Sequence, residues 1–371
     1  MDFNSEKIYY NAFNIITDCN YSLLARLKEF YGSFIAAWEA SGYDEFLNAN
    51  KHFALDTIEN LMRGKTELDP VKEWDKLKNL GIKMHLIEED EYPSLLKEIP
   101  NAPLAIYQLG DFDQLQSTIA VVGTRKPTNY GKMVAEKITK DLVECGFVIV
   151  SGLAYGIDTI CHQTTLECGG STIAVLGSGL DIIFPPTNKR LAQKIMEKQG
   201  ALISEYAPSL PPLKHHFPAR NRIVSGLSLG VVVVEAPLKS GALITARFAL
   251  DQNREVFAIP GSIFSKNSEG THQLIKSGAK LVNSITDILE ELNMIPEVKI
   301  FDSFEDKIAH ADLSAEEKKI ISIIKEADHP LLVDEIVSLA HLPIDVINQT
   351  LTLLELKNFI RAEANGYRLV I

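Results

Sequence analysis

What most constrains this chain is a rhythm in its middle. Six short runs rich in branched apolar residues (119–122, 147–150, 172–176, 201–204, 231–234 and 255–259) recur at a spacing of roughly 25–30 residues. Most neighbouring runs are separated by a segment able to form a helix: 132–145, 157–168, 188–199 and 242–252. The runs are continuously apolar rather than alternating, as strands buried on both faces are. Strands alternating with helices build right-handed βαβ units in a mostly parallel sheet. The expected fold is therefore α/β, a Rossmann-like doubly wound sheet over residues 118–292.

The flanks read differently. Residues 1–70 show helical spacing in Leu23, Leu24, Leu27, Phe30 and Tyr31 and again in Phe53, Leu55, Ile58, Leu61 and Met62, with breaks at Gly32, Gly42 and Gly64. This predicts a helical N-terminal domain whose function is not legible. A proline-rich connector (71–117) leads into the sheet. An acidic linker (293–311) leaves it, and a tail (312–371) offers three helices and a hairpin around Asn365-Gly366, the pattern of a winged helix. Hydrophobic residues make up 46% of the 371 and charged ones 23%, which excludes disorder as the dominant state. No apolar run approaches the ~18 residues of a membrane span. The first residues lack a basic segment leading into an apolar one, so the expected place is the cytoplasm, with no membrane partner. The four cysteines form no CxxC pair and are expected to be reduced.

A net charge of −12 argues at first against a polyanionic ligand, but the average hides a split. Residues 118–282 carry 18 Lys and Arg against 12 Asp and Glu, whereas residues 1–117 carry 11 against 20 and residues 283–371 carry 8 against 17. A positive centre between acidic ends marks where an anion would sit.

In open α/β sheets, ligands lie beyond the carboxyl ends of the strands. The first run is followed by Gly123-Thr124-Arg125, with Thr128 or Asn129 able to cap the next helix. Free N–H groups at that helix start beside an arginine predict a phosphate site. The second run is followed by Ser151-Gly152, the third by Gly177-Ser178-Gly179, and the fifth by Ser240-Gly241 at another helix start. One such loop is an ordinary tight turn; four converging on one sheet edge predict a ligand. The most informative stretch is Lys214-His215-His216-Phe217-Pro218-Ala219-Arg220-Asn221-Arg222, with three cations, an aromatic ring and no carboxylate. Cations that track a backbone beside a ring on which a base stacks are the chemistry of single-strand nucleic-acid binding.

Other signals carry less. Gly226-Leu227-Ser228-Leu229-Gly230 matches a hydrolase pattern, but the strand follows the serine instead of preceding it. Cys161, His162 and Cys168 lack a second pair of zinc ligands. His215-His216 reads as a nucleic-acid or solvent contact rather than a metal site. An NAD-type cofactor wants an acidic residue about 20 positions beyond the first glycine turn, and Ser151-Gly152 stands there instead. Asp158, Asp181 and Glu235 read as caps or loop anchors. No catalytic constellation emerges.

At these residues the sequence resembles the DprA/Smf family of bacterial DNA-processing proteins. The resemblance spans roughly residues 90–292. It rests on Tyr92-Pro93 with Pro103, Val122-Gly123-Thr124-Arg125, Ser151-Gly152-Leu153-Ala154 with Gly156-Ile157-Asp158, Ala174-Val175-Leu176-Gly177, Ser204-Glu205-Tyr206, Phe217-Pro218-Ala219-Arg220-Asn221-Arg222-Ile223, and Glu235-Ala236-Pro237 through Ser240-Gly241 to Ile259-Pro260-Gly261. It implies a protein without cofactor or covalent chemistry that binds and protects single-stranded DNA in natural transformation and loads the RecA recombinase. The implied DNA site is Gly123, Thr124, Arg125, Lys214 and Phe217, with Arg220, Arg222, Ser240 and Gly241; Ser151 and Gly152 join it from the loops and Asn221 from the basic stretch. The resemblance also implies a homodimer, through His272, Ile275 and Leu281. Tyr155 stands where the family usually has a basic residue. The tail resembles the winged-helix domain some members carry, but its segment 344–356 has no Lys or Arg, which predicts protein contacts instead of strong DNA binding. Two competitors remain: a phosphoribohydrolase-like enzyme, disfavoured because Pro237-Leu238-Lys239-Ser240-Gly241 replaces the Pro-Gly-Gly-x-Gly-Thr stretch such enzymes carry, and a nucleotide-sensing regulator.

Overall fold

The computed structural model describes residues 3–51, 53–111, 117–198, 200–294, 313–327, 329–357, 359–363 and 366–369. Contacts divide the chain into two units, residues 1–294 and 295–371. Most of the expected linker, from residue 295, and Asn365 of the expected turn lie outside the described residues.

The first unit opens with six helices: α1 (Phe3–Ile16), α2 (Tyr21–Tyr31), α3 (Phe34–Glu39), α4 (Asp44–Ala49), α5 (Leu55–Glu67) and α6 (Pro70–Asn79). The connector then contributes β1 (Lys83–Leu86), α7 (Ser94–Lys97) and β2 (Ala105–Gly110). The alternating elements follow as β3 (Thr118–Val122), α8 (Asn129–Glu144), β4 (Val148–Ser151), α9 (Ile157–Glu167), β5 (Thr172–Val175), α10 (Lys189–Glu197), β6 (Ala201–Ser204), α11 (His216–Gly226), β7 (Gly230–Val233), α12 (Gly241–Asp251), β8 (Glu255–Ala258), α13 (Glu269–Lys276), β9 (Lys280–Leu281) and α14 (Ile285–Glu291). The strands form one sheet in the order β1-β2-β6-β5-β4-β3-β7-β8-β9. From β6 to β9 it is parallel; β1 and β2 are antiparallel to their neighbours. The doubly wound expectation holds, and the connector proves to carry two strands of the sheet.

Two cores explain why the runs are apolar throughout. Ala120, Val122, Val148, Val150, Val231 and Val233 face one layer, which includes Ile223 and Val224 of α11 and Ala242 and Ala246 of α12. The intervening Ile119, Val121, Ile149 and Val232 face Ala135, Ile138 and Leu142 of α8 and Cys161 of α9. With side chains alternating along a strand, burial of both faces leaves no polar position. The N-terminal helices join the sheet in a third core, where Tyr10, Phe13 and Leu27 cluster with Tyr107, Ala174 and Leu202. Polar ties pin α1 to the end of β6: Asn14 Nδ2 donates to the Glu205 carbonyl at 3.1 Å, and Asn14 Oδ1 accepts from Ala207 N at 3.0 Å.

The second unit comprises α15 (Ala315–Glu326), α16 (Val333–Ala340), α17 (Ile344–Leu356), β10 (Ile360–Glu363) and β11 (Gly366–Leu369). The two strands pair antiparallel, with a further bridge from Leu331 to Tyr367. Its own core includes Ile320, Ile336, Ile347, Leu351 and Ile360. Three helices and a wing are the expected winged helix. Among the described residues, no helix is long and apolar enough to cross a membrane.

His162, weighed above as a zinc ligand, is instead sealed under the sheet. Its Nδ1 donates to Thr172 Oγ1 at 2.7 Å, and that hydroxyl donates on to the Ile149 carbonyl at 2.6 Å. Burial, with the Arg220 charge adding to it, pushes the His162 imidazole down to about 3. The unfolded chain takes up a proton near pH 6.5 while the folded one does not, so stability falls as pH drops from that value toward 3. The contribution reaches about 1.4 kcal/mol per pH unit. Trp38 and Trp74 are the chain's two tryptophans, so urea unfolding followed by their fluorescence reads the first unit. His162→Gln is expected to flatten the loss of stability between pH 6 and 4; equal slopes for parent and variant would refute this account.

Candidate nucleic-acid interface

Strands β3 and β7 lie side by side, but the chain leaves β3 toward β4 and returns to β7 only after β6. Loops leaving such a switch point diverge and open a crevice. Here the crevice is a cleft of about 970 Å³ lined by residues of the loops after β3, β4 and β7 and of helices α11 and α12.

The cleft brings together Gly123, Thr124, Arg125, Gly152, Lys214, Phe217, Arg220, Asn221, Ser240 and Gly241. Ser151 and Arg222 are not among its lining residues, and each has another partner. Ser151 is fully buried and donates its hydroxyl to the Val121 carbonyl at 2.7 Å. Arg222 forms a two-pronged pair with Glu205, at 2.7 Å from Nη1 to Oε1 and 2.5 Å from Nη2 to Oε2. Burial alone would lower the Arg222 pKa; Glu205 more than offsets it and raises it.

The separation of the cations follows from helix geometry. From His216 onward the basic stretch is α11. Phe217, Arg220, Asn221 and Val224, at positions i, i+3, i+4 and i+7, share one face, and all four line the cleft. Arg222 is two residues from Arg220 and so points elsewhere. Phe217 meets Phe184, ring centroids 5.4 Å apart at 47°, and Phe184 is 41% exposed.

The expected phosphate site at the start of α8 is closed. Glu235, 2% exposed, accepts from Thr128 N at 2.9 Å and from Thr128 Oγ1 at 2.5 Å. Thr128 Oγ1 in turn accepts from Gly131 N at 3.1 Å. A side chain at Gly131 would put its Cβ 2.3 Å from Glu235 Oε2, so glycine lets the helix pass the carboxylate. Protein carboxylate thus caps the helix where an anion was expected. The start of α12 is different. Ser240 Oγ accepts from Ala242 N at 3.3 Å, and a Cβ at Gly241 would meet nothing within 4 Å among the described residues. The other glycines serve packing: Gly123 clears the Ile157 side chain, and Gly152 clears the Arg220 guanidinium.

Among the described residues lining the cleft, Arg125, Lys126, Lys214, Arg220 and Lys239 face one carboxylate, Asp158. Arg125, Lys126, Lys214 and Lys239 are exposed. Arg220 is 4% exposed and donates to the carbonyls of Gly152, at 2.7 Å, and Val175. Burial lowers its pKa to about 10, against the pull of Asp158. Burial likewise raises the Asp158 pKa, which Arg220 and the Ala154 and Gly152 N–H groups counter. These two support the loops from below, and the four exposed cations form the positive lip. Thr124 fixes the Arg125 turn: its N–H donates to the Glu235 carbonyl at 2.7 Å, and its own carbonyl accepts from Ile157 N at 3.2 Å.

Tyr155 is exposed but is not a lining residue of the cleft. His272 and Ile275 lie on α13, with His272 Nε2 3.1 Å from the Gly261 carbonyl, and Leu281 lies on the edge strand β9. Sequence reasoning missed Phe184, Lys126, Lys239 and Asn267. Lys126 and Lys239 adjoin residues it chose; nothing in local sequence ties Phe184 or Asn267 to this edge.

Fold and site together define a Rossmann-like protein that presents a cationic, aromatic cleft at the switch point of its sheet. The model of the DNA recombination-mediator protein A family matches residues 83–293, and that of the DprA winged helix domain matches residues 306–366. The chain belongs to the DprA/Smf family. It is 39% identical over 298 residues to protein Smf of Synechocystis, covering 79% of this chain and 74% of that one. It is 50% identical over 206 residues to DNA processing protein DprA of Streptococcus pneumoniae, covering 55% and 72%. The solved structure of DprA from Streptococcus pneumoniae aligns with TM-score 0.58 at 41% identity, over 67% of this chain and 90% of that one. DNA processing protein A from Helicobacter pylori, solved for its single-stranded DNA binding mode, aligns with TM-score 0.51 at 31% identity, over 57% and 95%.

The two kinds of arginine are distinguishable by stability. Arg222→Ala strands a buried Glu205 carboxylate and is expected to cost about 3–5 kcal/mol. Arg125→Ala, at an exposed position, should change stability by no more than about 0.5 kcal/mol. Urea unfolding followed by tryptophan fluorescence checks both; equal costs would show that Glu205 does not depend on Arg222.

Proposed function

We propose that the chain binds single-stranded DNA in the cleft between β3 and β7, protects it, and passes it to the RecA recombinase in the cytoplasm, without a cofactor and without covalent chemistry. The observation that carries this reading is the gathering of four exposed cations and the Phe217–Phe184 pair around one cleft. The cations attract the phosphates, and an unpaired base can stack face-on on an aromatic ring beside the backbone track. The open start of α12 at Ser240 and Gly241 offers unhindered approach to a phosphate. The DNA-binding mode studied in the Helicobacter pylori relative supports the same ligand.

The contacts divide by role. We assign Arg125, Lys214, Ser240 and Gly241 to the phosphates, with Gly123 and Thr124 holding the Arg125 turn, Phe217 to a base and Asn221 to the rim. Arg220, Gly152 and Ser151 hold the floor, and Arg222 acts through Glu205 on the fold. The winged helix is assigned to protein contacts, since α17 presents neither lysine nor arginine.

Fluorescence anisotropy with a labelled poly-dT oligomer over a salt series tests the site. Arg125→Ala and Lys214→Ala should each weaken binding and reduce the salt slope by about 0.7, one single-strand phosphate contact. Phe217→Ala should cost ~1–3 kcal/mol, and duplex competitor should displace the oligomer poorly. Unchanged slopes in both cation variants, or efficient displacement by duplex, would overturn the reading.

Self-association is proposed through α13 and β9, where Leu281 is 42% exposed on the edge strand. Leu281→Arg should convert a dimer to a monomer in sedimentation velocity. A parent that sediments as a monomer, or a variant that stays dimeric, would remove these residues from the interface.

A further inference from the structure

The turn between α1 and α2 approaches the start of α11 at a point separate from the cleft's floor. There Asp18, His215 and His216 bring a carboxylate oxygen and two ring nitrogens within 4.8 Å of one another. The sequence separates Asp18 from the histidine pair by nearly two hundred positions, so reading along the chain could not join them.

His216 is the informative member. Its side chain is 2% exposed, and its Nδ1 lies 3.1 Å from the Pro211 carbonyl. A carbonyl only accepts, so Nδ1 carries the hydrogen, and the neutral ring then has a lone pair on Nε2. That Nε2 is buried and has no hydrogen-bond partner among the described residues. It lies 3.8 Å from Asp18 Oδ2, too far for a hydrogen bond. Two electron-pair donors therefore face each other across a gap that a cation would bridge. In a tetrahedral zinc site with bonds of about 2.0 Å, neighbouring ligand atoms are about 3.3 Å apart. The observed gap needs only a small adjustment to reach that edge. A ring that donates one N–H to a backbone carbonyl while offering the other nitrogen is the usual posture of a metal-ligating histidine.

Both sides of the gap are held in place. The His216 ring stacks on Tyr206 with centroids 4.0 Å apart, and His215 meets it edge-on at 4.5 Å. Asp18 follows α1, which Asn14 ties to Glu205 and Ala207, and precedes Cys19, whose Sγ donates to the Glu205 carbonyl at 3.3 Å.

We propose that Asp18, His215 and His216 form a binding site for a divalent transition-metal ion of zinc type, which ties the N-terminal helices to the first turn of α11. Three protein ligands of His and Asp type leave a fourth position for water, the composition of an open zinc site. The ion would fix the segment that carries Lys214 and Phe217.

The test uses the full-length chain without an affinity tag, stripped with chelator and titrated with ZnCl₂ by calorimetry. Parallel CoCl₂ titrations are read by visible absorption. The expected result is one equivalent of Zn²⁺ per chain, a cobalt band in the visible region, and a rise in melting temperature with Zn²⁺. His215→Ala and Asp18→Asn change exposed residues, so the fold should survive; each should weaken Zn²⁺ binding at least tenfold and abolish the melting shift. Absence of stoichiometric Zn²⁺ binding by the parent would overturn the proposal, as would binding that both variants retain.

Discussion

One buried carboxylate organises the functional edge of the sheet. Glu235 leaves the end of β7 and is held by three segments: Thr128 through its N–H and hydroxyl, Asn267 through Nδ2 at 3.3 Å, and Thr124, whose N–H takes the Glu235 backbone carbonyl. The loop after β3, the start of α8 and the turn before α13 are thereby referenced to the strand across the switch point. A buried charge costs free energy unless its hydrogen bonds are satisfied, and here it is satisfied by groups that would otherwise be orphan donors of a helix start. The same bonds that stabilise Glu235 aim Arg125. Glu235 is turned inward and satisfied by the protein itself, which leaves Asp158 as the one carboxylate among the described residues lining the cleft, beside five cations.

Much of this was legible in the sequence, and the reasons are specific. Burial on both faces writes itself as continuous apolar runs, so the runs at 119–122 and 231–234 located strands to within a residue or two. Lys83–Leu86 was harder: it is half exposed, pairs on one side only, and is four residues long, too short for alternation to speak. Three of the four glycine-rich loops expected to converge do line the cleft; the Gly177-Ser178-Gly179 loop after β5 does not, and a Cβ at Gly177 would instead meet Phe217 and His216 of α11. What they do there was not legible, because a glycine that admits a ligand and one that admits a neighbouring side chain look alike in sequence. Gly152 makes room for Arg220, and a Cβ at Gly241 would meet nothing within 4 Å among the described residues.

The basic stretch teaches the complementary lesson. Read along the sequence, 214–222 offers three equivalent cations. Wound into α11, it sends them to three environments: Lys214 to the lip, Arg220 to the floor, and Arg222 to Glu205. The i, i+3, i+4, i+7 spacing of Phe217, Arg220, Asn221 and Val224 was present in the sequence. Pro218 is compatible with that helix because it sits in the first turn, where proline costs no hydrogen bond. Phe184 could not have been found by any local pattern, since its place beside Phe217 is a product of tertiary packing alone.

The overall acidity of the chain and the cationic cleft are compatible because electrostatics is local in salt. At physiological ionic strength, exposed charges beyond about 8 Å are largely screened, so the many carboxylates elsewhere weigh little against Arg125, Lys126, Lys214 and Lys239 at the lip. The net charge of the whole chain therefore does not argue against the polyanionic ligand proposed above: at this edge a ligand meets the charge of the cleft itself, where five cations stand beside one lining carboxylate.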